Sequence, residues 1–209
     1  MDGDTFLERL RDDFETELSR LNSSKALYAV TGGEMDAPSV RAAAADEAAS
    51  AAGLFAAWAD DESDAEAAAL FADVAEAIDG EEGHRDRIGA DEGTADTDGL
   101  LYETISGFDA TPERVAGLLA RTVVARELVS QMVGFFVGDA DPRSADVFRS
   151  IRDDLDDQRD RALQVLEDVC EDEGDWDDAM AAAAAALEGA YDYYVETLEG
   201  MGVEPKNVC

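Results

Sequence analysis

Apolar residues recur three and four positions apart along most of the chain, which is the spacing of amphipathic α-helices. Three of the four prolines stand near the starts of these periodic segments, where proline is tolerated, and Gly32–Gly33 ends the first segment. The pattern predicts helices at about residues 5–30 (with a possible break at 22–24), 37–60, 63–89, 100–108, 111–136, 141–170 and 175–201. The sequence therefore predicts an all-α protein that forms a single helical domain over residues 1–209.

The four central long helices form two hairpins that resemble each other. Residues 71–88 and 148–165 align without gaps, so that Phe71 falls on Phe148 and Ile78 falls on Leu155. Two similar hairpins joined by a longer crossover are typical of a four-helix bundle with one long connection. We therefore expect residues 36–170 to form a four-helix core of two antiparallel hairpins, with flanking helices in 1–35 and 171–209.

Carboxylates interrupt the apolar seams of three of these helices, at Glu47, Glu81 and Glu127. A polar group on a buried seam is costly unless it is paired or bound to something. His84 is the only histidine and follows Glu81 by three residues, and Glu-x-x-His on a helix is half of a carboxylate-bridged two-metal site. Two alternatives to a metal site stay open. Chance can place a few of the 51 acids on any helix face, and Gly80 and Gly83 favour a loosened turn around Glu81 in place of a regular helix.

This pattern resembles the ferritin-like superfamily, and its rubrerythrin branch in particular. The resemblance assigns Glu47, Glu81, His84 and Glu127 as metal ligands, and it implies iron or manganese as the cofactor of an intact site. Where the second Glu-x-x-His would stand, the chain has Gln158 and Arg161. An amide is a poor ligand and a guanidinium is none. We therefore expect a degenerate site that holds no cofactor, in which Gln158 and Arg161 occlude the metal position and Arg161 supplies the missing positive charge.

Three functions are compatible with this pattern. The residues at 158 and 161 favour a non-catalytic interaction or regulatory protein. An intact site would instead imply a di-iron or iron–manganese oxidoreductase that acts on peroxide or oxygen. Acidic proteins of halophilic archaea that resemble this chain also carry a transcription antitermination label, a role that this chain would fill only through a protein partner.

The net charge of the chain argues against a nucleic acid as a direct partner. The chain has 16 basic and 51 acidic residues, a formal net charge of −35. Direct binding to a phosphate backbone needs a basic stripe, and the sequence has none. No run of 18 apolar residues occurs and acidic residues follow Met1 directly, so we expect a cytoplasmic protein with no membrane span.

The last predicted helix has an apolar seam that recurs at steps of four or three residues, and from Ala184 onward these steps alternate as in a coiled coil. The seam consists of Trp176, Met180, Ala184, Leu187, Tyr191, Tyr194, Leu198 and Met201. One interpretation is a helix that caps the bundle. The other is a contact with a protein partner or a second copy of the chain, because Tyr and Trp are favoured at interfaces.

The net charge predicts that stability depends on salt, as in proteins adapted to a salt-rich cytoplasm. Self-repulsion among the carboxylates opposes folding, and the Debye length falls to about 3 Å at 1 M salt. The midpoint of thermal unfolding should therefore rise between 0.1 M and 3 M KCl. Equal midpoints at the two concentrations would contradict this prediction.

Overall fold

The computed structural model describes residues 1–90 and 99–205; residues 91–98 and the last residues of the predicted C-terminal flank, 206–209, lie outside it. Within the described residues the structure contains ten helices and no β-strand, which confirms the all-α prediction. The helices are α1 Gly3–Asp13, α2 Glu15–Leu21, α3 Ser24–Val30, α4 Ala37–Asp61, α5 Ala65–Asp79, α6 His84–Ile88, α7 Leu100–Ile105, α8 Thr111–Gly138, α9 Pro142–Val169 and α10 Glu173–Gly200. None of these helices is both long enough and apolar enough to cross a membrane.

Helices α4 and α5 form one hairpin and α8 and α9 form the other. Phe136 stacks on Phe148 near the α8–α9 turn, and Arg126 pairs with Asp156 farther along the same two helices, so α8 and α9 run antiparallel. The hairpins meet where α5 and α6 touch α9 and where α4 touches α8. Helix α8 also packs along α10, which explains why its sequence is apolar on most sides.

Acidic side chains begin several of the helices. Asp36, Asp64, Asp141 and Asp172 each accept hydrogen bonds from backbone N–H groups of the following turn. A carboxylate at this position satisfies amides that have no partner within the helix and lies at the positive end of the helix dipole. Part of the chain's acidity therefore defines where helices start.

The helix predicted at 63–89 is interrupted, and this changes the expected site. Helix α5 ends at Asp79, and the chain turns through Glu82, whose φ is +61°, before α6 begins at His84. A β-carbon on Gly83 would lie 2.7 Å from the carbonyl oxygen of Ile78, and one on Gly80 would lie 2.5 Å from that of Glu76. The two glycines therefore permit a turn that other residues would obstruct.

The helix predicted at 5–30 is also divided, into α1, α2 and α3. The break at Asn22–Ser23 falls in the region where one was expected, and the break at Phe14 was not expected. These three helices pack against α8, α9 and α10.

The apolar seam of α10 packs against the chain itself. The ring centroids of Trp176 and Phe6 lie 5.9 Å apart, and the Tyr194 hydroxyl donates to the carbonyl oxygen of Pro205 at 3.1 Å. Leu187 and Leu198 are fully buried. Within the described structure α10 acts as a helix that covers α8, and a partner contact through residues 176–201 stays a prediction.

Candidate functional site

A buried ion pair lies between the two hairpins. The Arg121 side chain on α8 is 1% exposed, and its Nε and Nη2 donate to the two carboxylate oxygens of Glu47 on α4, at 2.9 Å each. The hydroxyl of Tyr102 on α7 donates to Oε1 of Glu47 at 2.6 Å. Bidentate charge-assisted bonds of this kind are among the strongest in proteins. The pair therefore joins α4, α7 and α8 at one point.

The contacts with Glu47 keep Arg121 charged and Tyr102 protonated. Burial by itself would lower the pKa of Arg121, but Glu47 and then Tyr102 outweigh burial, and the net pKa lies above its ordinary value. Burial, followed by the charge of Glu47, raises the pKa of Tyr102. The guanidinium stays charged and the phenol stays protonated, so neither group is suited to act as a general base near neutral pH.

His84 forms a second polar group next to the pair. The His84 side chain is 3% exposed, and its Nε2 lies 3.2 Å from Oδ2 of Asp154 on α9, which also binds Arg87. Burial, followed by the positive charges of Arg121 and Arg87, lowers the pKa of His84 to about 4. The ring is therefore neutral near pH 7 and donates from Nε2 to Asp154.

A small cavity of about 20 Å³ separates these groups. Glu47, His84 and Arg121 line it together with apolar side chains of α8 and α9 such as Met132 and Phe148. The Nη1 atom of Arg121 has no hydrogen-bond partner among the described residues. Such a volume is large enough for one water molecule.

The structure does not bring the three predicted acids together. Glu47, which was predicted to lie on an inward seam, and His84, which was predicted to lie beside one, both border the small cavity. Glu81 is exposed, because the turn at Gly80–Gly83 ends the helix before it, so the expectation that Glu81 lies on an inward seam is wrong.

Glu127 is half-buried, and its Oε1 lies 3.8 Å from Nη1 of Arg126. Burial raises its pKa, and the charges of Arg126 and Arg11 act against that rise. Glu127 does not line the small cavity, and its charged neighbours belong to the group formed with Asp156 on α9. It therefore belongs to a different polar cluster from Glu47.

The two residues expected to occlude the metal position behave differently. Gln158 is buried, and neither its Oε1 nor its Nε2 has a hydrogen-bond partner among the described residues. Arg161 is exposed and pairs with Asp73 on α5, so the expectation that it neutralises the inward acids is wrong. Arg121 neutralises Glu47 instead. The sequence signal for it is an arginine inside the apolar run GLLARTVVA, where an unpaired charge would be costly.

The donor set does not fit a two-metal centre. No three His, Cys, Asp or Glu residues in the described ranges lie close enough together to hold a metal ion. Both oxygens of Glu47 already accept hydrogen bonds from Arg121, and Asp154 occupies one nitrogen of His84. A bound metal would have to displace these partners.

No protein-family model, curated protein or solved structure matches this chain. The ferritin-like resemblance therefore rests on the residues quoted above, and it stays a prediction.

The ion pair predicts that replacing Arg121 lowers the free energy of unfolding more than replacing Arg161 does. Arg121→Met leaves a carboxylate without its partner in a mostly buried position and should cost roughly 3 kcal/mol of unfolding free energy. The double variant Glu47→Leu, Arg121→Met should recover most of that loss, because it removes both charges. Arg161→Ala breaks only an exposed pair and should cost less than about 1 kcal/mol. Urea unfolding in molar KCl measures all three, and equal losses for Arg121→Met and Arg161→Ala would contradict the assignment.

The buried imidazole predicts a dependence of stability on pH. His84 stays neutral in the folded chain down to about pH 4, whereas the ordinary value for an unfolded histidine is 6.5. The unfolded chain therefore binds more protons in this window, and falling pH costs stability by up to roughly 3 kcal/mol. Because carboxylates titrate in the same range, the matched control is His84→Gln. The free energy of unfolding of the wild type minus that of His84→Gln should decrease as the pH is lowered from 7 to 4. A difference that stays constant over this range would refute the prediction.

Proposed function

We propose that this chain is a non-catalytic, ferritin-like interaction or regulatory protein in which an arginine–carboxylate pair takes the place of the metal. The observation that carries this proposal is the bidentate contact of Arg121 with Glu47. A guanidinium provides the positive charge that a cation would provide between the helices, and its planar fork matches a carboxylate.

Charge balance at the centre supports this proposal. One cation, Arg121, compensates one inward acid, Glu47, and the phenol of Tyr102 adds a neutral donor. The neutral His84 adds no charge near pH 7. This centre therefore needs no metal ion to balance its charge.

Oxygen or peroxide chemistry at a two-metal centre would need a different arrangement. Glu47 would have to release Arg121, and further carboxylates would have to approach His84. A role in transcription antitermination would use the protein surface and not this centre. The proposal is therefore tested first by metal binding.

Protein purified without chelator from cells supplied with iron and manganese should hold far fewer than one metal ion per chain beyond the ions that a Glu47→Gln variant also holds. Elemental analysis in molar KCl measures this content. The matched control is Glu47→Gln, because the many surface carboxylates can bind divalent ions weakly. Ions that the variant retains belong to the surface and leave the proposal standing. Two ions per wild-type chain that are lost in Glu47→Gln would overturn it.

A further inference from the structure

A second, larger cavity lies beside the ion pair. Its volume is about 140 Å³, and it is bounded by α2, α3, α4, α7, α8 and α10. Glu47 and Leu128 line both this cavity and the small one. An engineered protein cavity of about 150 Å³ accepts benzene, so the larger cavity has the volume for a ligand with one ring.

The walls of this cavity are mostly apolar. The lining includes small side chains at Ala26, Ala43 and Ala190 and larger apolar side chains at Val124 and Leu128 of α8. Tyr102, Tyr193 and Tyr194 also line it. Aromatic rings provide both apolar contact and a negative face that attracts cations.

The two acids in the wall differ in what they can offer a ligand. Glu47 already binds Arg121 and Tyr102. Asp46 lines the same cavity and takes part in no ion pair among the described residues. A cation placed in the cavity near Asp46 would supply the opposite charge that this carboxylate lacks.

We propose that this cavity binds a small organic cation, namely an amine carried on an apolar group about the size of one ring. The amine contacts Asp46, and the apolar group lies between the tyrosines and the side chains of α8. The net charge of −35 also favours the approach of a cation over that of an anion, although salt weakens this effect. The inference goes beyond the proposed function and holds whether or not the centre binds metal.

A series of three ligands of similar shape tests this proposal on the wild-type protein. Isothermal titration in molar KCl should detect binding of benzylamine, binding of benzyl alcohol that is about ten-fold weaker, and no binding of benzoate. Absence of benzylamine binding, or equal affinity for benzylamine and benzyl alcohol, would overturn the proposal. Because this readout does not involve metal, it is independent of the metal analysis.

Three variants locate the binding site. Asp46→Asn should remove the preference for the amine and keep the weak binding of benzyl alcohol, and Ala43→Leu should abolish both by filling the cavity. Asp60→Asn, an exposed acid on the same helix, is the control and should change neither. An amine preference that persists in Asp46→Asn, or binding that persists in a folded Ala43→Leu protein, would overturn the proposal. If Ala43→Leu does not fold, the wild-type series and Asp46→Asn still decide.

Discussion

The contact between Glu47 and Arg121 is the interaction on which the arrangement of the two hairpins depends. Moving a guanidinium and a carboxylate out of water costs several kcal/mol per ion, roughly, and only good geometry offsets that cost. Here both carboxylate oxygens are bound and a tyrosine adds a third bond. Because each of these bonds depends on position, a shift of α4 along α8 would leave the arginine charge buried and unpaired.

Two other arginines make contacts at the two ends of α4. At the end of α4, Arg114 pairs with Asp61 at 3.2 Å and with Glu62 at 3.4 Å, and it lies over the ring of Trp58. Near the start of α4, Arg41 donates to the carbonyl oxygen of Ile88 at 2.7 Å. A guanidinium can stack on a ring while its edge donates several hydrogen bonds, which an ammonium cannot do. These contacts therefore need arginine, and the chain has only two lysines.

The sequence predicted the positions of the helices better than it predicted which charged side chains would pair. Periodicity and proline positions identified the long helices, and the apolar sides of α8 predicted its burial. Gly80 and Gly83 indicated that the predicted helix is interrupted before His84. The apolar spacing continued through both glycines, however, and it favoured one unbroken helix. The wrong prediction that Arg161, and not Arg121, neutralises the inward acids has another cause. Periodicity shows which face of a helix points inward, whereas the choice of ion-pair partner depends on how neighbouring helices are rotated and shifted.

Tyr102 links the larger cavity to the ion pair. Its ring lines the larger, apolar cavity, and its hydroxyl donates to Glu47, which borders both cavities. The Nε of Arg121 also donates to the same hydroxyl at 3.3 Å, so the phenol belongs to the ion pair. A molecule in the larger cavity would touch the side chain that fixes α7 to α4 and α8. Displacing Tyr102 would remove one of the bonds that offset the burial of Glu47, so occupancy of the cavity and the geometry of the ion pair are physically linked.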